Sequence, residues 1–148
     1  MKKDINQLKL IGKNIEDLKT ISAYCQDSIV KIKDLIYLKE SKIFIMMLSR
    51  FMWEDIEKGV FRNYKRIISV LRFHFVENVL AKNISQQQKT RNLELLAIKS
   101  KISKDDTYDT NLIFSGNGII LLKSEEIDVM LDDREKFWEV KHSPKHKL

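Results

Sequence analysis

The stretch Asn111-Leu-Ile-Phe-Ser-Gly-Asn-Gly-Ile-Ile-Leu-Leu122 decides the fold class. Gly116-Asn117-Gly118 lies between two apolar runs, and the tight turns that reverse a strand need positive φ, which Gly and Asn tolerate. The segment reads as a β-hairpin. Strands joined so closely pair antiparallel.

Working outward, period 2 dominates. Upstream, Leu93–Ile102 is strand-like and closes in a polar turn, Ser103–Thr107. Before the polar loop Ser85–Asn92, Ile67–Phe75 alternates and Val79–Ile84 continues as another strand. Downstream, Ile127, Val129 and Leu131 face one way against Asp128 and Asp132, a half-exposed last strand, and Glu135–Val140 follows. Nearer the N-terminus, Leu35–Leu38 and Ile43–Leu48 flank the polar turn Lys39–Lys42 as a second hairpin. Ile43–Leu48 is apolar on both faces, which predicts a central strand covered on both sides. Ile29–Lys33 alternates as well, and Leu8–Ile11 is a short first strand.

One segment breaks the pattern. Ile15, Leu18, Ile21 and Cys25 share a helical face, Asn14 is a good N-cap, and Glu16 and Asp17 suit the positive end of a helix dipole. The spacing predicts a helix over residues 15–26. The sum is a single α+β domain over residues 1–148, with an ordered core of about 8–140 and tails at 1–7 and 141–148. One N-terminal helix and about eight mostly antiparallel strands form a curled sheet or open barrel, with the helix against one face or end.

The composition is that of a globular chain: 148 residues, 43% hydrophobic, 32% charged, 4 Gly and 1 Pro. A lone Cys25 excludes an intrachain disulfide and any C-x-x-C motif. The longest apolar run, Ile43–Leu48, is far short of the roughly 18 residues needed to cross a bilayer. Charges at Asp4 and Lys9 interrupt what a signal peptide would need as a continuous apolar stretch. The expected setting is the cytoplasm, away from membranes. A net charge of +6 and a pI near 9.3 invite a nucleic-acid partner. Lysine outnumbers arginine 21 to 6, however, and residues 1–104 carry +10 against −4 for the remainder, so the halves can neutralise each other.

No complete catalytic constellation is present. Cys25 lies on the apolar helix face without a visible base, so it reads as a small buried hydrophobe. His74, between Phe73 and Phe75, reads as a histidine hydrogen-bonded at the sheet surface. His142 and His146 have a zinc-like spacing, but Pro144 breaks the helix that would present them. Glu125, Glu126, Asp128, Asp132 and Asp133 lack the Gly-punctuated loop of a calcium site and read as a solvated edge strand protected by charge. Phosphate-binding and nucleophile-elbow motifs are also missing. Neither a catalytic residue, a metal nor a cofactor is expected.

Residues 50–66 read as a long loop with a short helical turn near Trp53–Lys58. Across 50–74, Arg50, Arg62, Lys65, Arg66 and Arg72 interleave with Phe51, Trp53, Phe61, Tyr64 and Phe73. The mixture fits aromatics plugging the open end of the sheet with cations reaching outward, a protein–protein hot spot, or a single-stranded nucleic-acid surface.

These residues carry a resemblance. Glu16, Asp17, Leu18, Ile21, Ser22, Ala23, Gln26 and Asp27, then Arg50, Phe51, Trp53 and Glu54, follow the pattern E-D-L-x-x-I-S-A-x-x-Q-D and R-F-x-W-E. Further matches are Phe73-His74-Phe75, Val79-Leu80-Ala81, Leu95–Ile98, Phe114, Gly116, Ile119, Leu121, Glu126 and Ile127. Over about residues 8–142 the chain resembles the alphaproteobacterial family catalogued as domain of unknown function 2948. Ser49 stands where that pattern usually has Asn, and Cys25 where it has Leu, which favours packing over chemistry at Cys25. The resemblance implies a cytoplasmic bacterial protein with no assigned activity.

The expectation is a non-catalytic adaptor that binds another cytoplasmic protein, with Gln26, Asp27, Arg50, Trp53, Arg72 and His74 converging at one sheet rim. The alternative is an RNA-binding accessory protein using Arg62, Lys65, Arg66 and Arg72. An enzyme comes third and would require His74 to meet a carboxylate in a cleft. The oligomeric state is left open.

Overall fold

The computed structural model describes residues 7–53 and 64–140, by backbone alone at Tyr64 and 135–140. After β1 (Lys9–Gly12) comes the helix α1 (Ile15–Cys25). Asn14 Oδ1 accepts from the Asp17 amide at 2.8 Å, and the Asp17 carboxylate accepts from the Lys13 amide at 2.9 Å, so two groups at the helix start are satisfied locally. Leu18, Ile21 and Cys25 are buried, as the spacing predicts. Asp27, in the left-handed region at φ +64°, turns the chain out of the helix, and its amide bonds Leu95 O at 2.8 Å.

The rest is strand. β2 (Ser28–Lys31) is followed by a 3-10 turn, Ile32–Asp34, so it ends earlier than the alternation suggests. Next come β3 (Leu35–Leu38), β4 (Ile43–Phe51), β5 (Tyr64–Phe73), β6 (Val76–Lys82) and β7 (Asn92–Ile102). β8 (Tyr108–Phe114), β9 (Ile119–Ser124) and β10 (Val129–Val140) follow. Every pairing is antiparallel, in the order β1-β10-β5-β4-β2-β7-β8-β9-β6, with β3 also on β4. The sheet is open and unclosed. The α+β class stands; the described residues hold one α-helix and ten strands, where about eight strands were expected.

Both hairpins form as read. β8 and β9 pair from Ile113↔Ile119, with Gly116 and Asn117 at φ +73° and +65° and the Phe114 amide closing on Gly118 O at 2.8 Å. In the β3–β4 hairpin, Lys42 takes φ +57° and its amide bonds Lys39 O at 3.2 Å.

Alternation sends one residue in two to the helix side. Phe44, Met46 and Leu48 of β4, Leu71 and Phe73 of β5, and Val129 and Leu131 of β10 join Leu18, Ile21 and Cys25 in the core. Burying each large aliphatic side chain stabilises the fold by about 1.5–3 kcal/mol.

Four expectations are corrected. Part of the supposed 50–66 loop is strand, because β4 runs to Phe51 and β5 starts at Tyr64; beyond Trp53 the expected helical turn falls outside the described residues. Ile43–Leu48 is buried on one face only, since Ile43, Ile45 and Met47 point to the side without the helix. The last strand is no edge: β10 lies between β1 and β5. Asp133 is not solvated either, because the parity of Val129 and Leu131 turns it inward.

Candidate functional site

Arg50 falls in the inward register of β4 and is fully buried, so the idea that the cations of this segment reach outward fails here. Its Nε and Nη2 meet Asp133 Oδ1 and Oδ2 at 2.9 and 2.7 Å. Ser69 Oγ donates to the same carboxylate at 2.5 Å, and the Leu8 amide does so at 2.8 Å. Tyr24 lies with its ring centroid 5.9 Å from the guanidinium carbon, within cation–π reach. Next to this pair, burial pushes the Cys25 thiol up from 9.0 to about 12; Arg50 pulls the other way and Asp133 adds to the rise. A thiol that resists ionisation is inert packing, as the sequence suggested.

The corner after α1 gathers more of the singled-out residues. Trp53 Nε1 donates to Gln26 O at 3.0 Å, and its ring meets Phe51 edge-on at 4.5 Å. Arg66 Nη1 donates to the carbonyls of Asp27 and Ser49 at 3.3 and 3.1 Å. Burial lowers the Arg66 pKa, while the charges of Asp27 and Glu94 oppose that fall. Ser28 Oγ, also buried, has no hydrogen-bond partner among the described residues. The Q-D and R-F-x-W segments thus meet here, joined by Trp53 on the Gln26 carbonyl and by Arg66 across the carbonyls of Asp27 and Ser49.

Arg72 and His74 lie elsewhere. Arg66 is opposite Phe51 and Arg72 opposite Ile45, six residues further along β4, which is about 20 Å of strand. The six candidate residues therefore form two groups at opposite ends of β5. His74 Nδ1 is 3.5 Å from Asp128 Oδ1, and Lys13 Nζ holds the other carboxylate oxygen at 2.8 Å. The imidazole does meet a carboxylate, yet no hydroxyl or thiol among the described residues is bonded to it. Among the cations named for RNA, Arg62 lies outside the described residues and Arg66 bonds two carbonyls, 20 Å or so from Arg72.

A surface the sequence reading missed surrounds Arg72. Register places Ile11 of β1, Met130 of β10, Arg72 of β5, Ile45 of β4 and Ile36 of β3 side by side. This row lies on the face opposite the helix. Ile11 and Ile36 are 55% and 46% exposed, and the three between are half-buried. Leu38 and Met47 extend the apolar area on either side, whereas the same face is buried towards Phe51. Among the described residues, the Arg72 guanidinium makes no ion pair or hydrogen bond. Apolar residues on both faces of Ile43–Leu48 were a signal for this surface; adjacency across five strands was not readable.

No helix among the described residues is long and apolar enough to span a membrane, and no group of three or more His, Cys, Asp or Glu there is placed to hold a metal. Residues 8–146 match the model of a family described as Protein of unknown function (DUF2948). No curated protein and no solved structure matches the chain.

Proposed function

The chain belongs to the DUF2948 family, and we propose that it works as a protein-binding module through the sheet face centred on Arg72. One observation carries this reading: a guanidinium without a partner among the described residues, set in a row of Ile11, Met130, Ile45 and Ile36. Apolar area left open on a sheet face marks interaction sites, and arginine is enriched among the residues that anchor binding energy. The partner this surface fits is a protein presenting apolar side chains around a carboxylate. Arginine favours such a group because its planar fork can donate two parallel hydrogen bonds.

Site-specific photocrosslinking tests the reading. A benzophenone side chain at Ile11 or Ile36 should trap the same protein in lysate of the native cell. At Leu80 or Ile102, equally apolar and 58% exposed, it should trap none. Adducts independent of position, or none at Ile11 and Ile36, would overturn the assignment.

A further inference from the structure

The sheet stops short of closing between β3, which pairs β4, and β6, which pairs β9. A cavity of about 450 Å³ lies in that gap. At one end Tyr37 Oη donates to Val76 O and the Val76 amide to Lys42 O, both at 2.8 Å. At the other, the Lys33 amide bonds Lys89 O at 2.9 Å, bringing the two lysines together. These bonds bracket a slot that runs between β3 and β6. β3 has four residues, which makes the slot about 13 Å long.

Its lining is chemically lopsided. Leu35, Phe44, Val79 and Ile120 supply an apolar interior, and the hydroxyl of Tyr37 is already bonded. The other polar side chains lining it are Lys33, Lys89 and Gln86, and no carboxylate is among the described residues that line the space. Neither ammonium has an ion-pair partner among the described residues. The volume falls within the range of about 300–1,000 Å³ typical of small-molecule sites. An apolar slot with two cations at one end fits a chain that is greasy along its length and negative at its head.

We infer that the cleft between β3 and β6 binds a medium-chain aliphatic carboxylate, its chain between Phe44, Val79 and Ile120 and its head at Lys33 and Lys89. This rests on different residues from the proposed protein-binding face, so either can fail without the other.

Calorimetric titration of the full chain with sodium decanoate, 1-decanol and sodium acetate, below micelle-forming concentrations, tests the inference. Decanoate should saturate one site per chain, decanol should bind more weakly and acetate should not bind. Two partly exposed ion pairs amount to roughly tenfold in affinity, so Lys33→Glu with Lys89→Glu should weaken decanoate by about that factor and leave decanol unchanged. Both lysines are exposed, so this variant keeps the fold. Ala81→Trp, which fills the slot, should abolish decanoate binding with an unchanged circular dichroism spectrum. No saturable decanoate binding, equal affinity for decanol, or indifference to the charge reversal would each overturn the inference.

Discussion

Arg50 and Asp133, 83 residues apart in the chain, form a two-pronged ion pair with no solvent exposure on either side chain. With Ser69 and the Leu8 amide bonded to the same carboxylate, one group ties together β4, β5, β10 and the chain entering β1. Removing two ions from water costs several kcal/mol each, and only close geometry with further hydrogen bonds offsets it. Both conditions are met here, and the bonds join β10 to β4, β5 and the chain entering β1.

Breaking this pair from one side leaves a buried charge uncompensated. Asp133→Asn or Arg50→Met should lower the unfolding free energy by about 3–5 kcal/mol, read from urea titrations. The double variant Arg50→Met with Asp133→Leu should lose less than the sum of the two single effects, because neither charge is then stranded.

Cys25 gives a pH dependence with a definite sign. Its thiol is raised from 9.0 to about 12 in the folded chain, so folding favours the protonated form. Its contribution to stability is complete below pH 9 and is lost as pH rises from 9 towards 12. Urea midpoints across that window should fall less for Cys25→Ala than for the parent chain. At pH 8, iodoacetamide should label the thiol only in denaturant.

Local features were legible in the sequence and distant ones were not. Asn14, Ile15, Leu18, Ile21 and Cys25 specify α1 within a dozen residues, and Gly116-Asn117 sets its hairpin through its own backbone preferences. Arg50 was read as a surface cation because its burial depends on a carboxylate far along the chain. The parity of Val129, Leu131 and Asp133 was visible, and it already pointed that carboxylate inward. For Ile43–Leu48 the apolar pattern on both faces was real, but its outer face is left half-open instead of covered. The row around Arg72 depends on five strands taken out of chain order, which a linear pattern does not encode.

The β8–β9 turn depends on Gly116 at φ +73°. Gly116→Val puts a branched side chain in the left-handed region, and it should cost about 1–2 kcal/mol by urea titration. Gly116→Asn should cost less, because Asn tolerates that conformation.

At the start of α1, Asn14→Ala removes the bond to the Asp17 amide. The expected loss is about 0.5–2 kcal/mol, with Asn14→Ser recovering most of it in the same titration.

The most direct test of the proposed function is affinity capture from native lysate with the parent chain and with Arg72→Glu, each with and without nuclease. The proposal predicts one stoichiometric protein that survives nuclease and disappears with Arg72→Glu, while the melting curve of the variant stays close to that of the parent. A partner retained by Arg72→Glu would contradict it, and so would capture that vanishes with nuclease, which would move the function to nucleic acid.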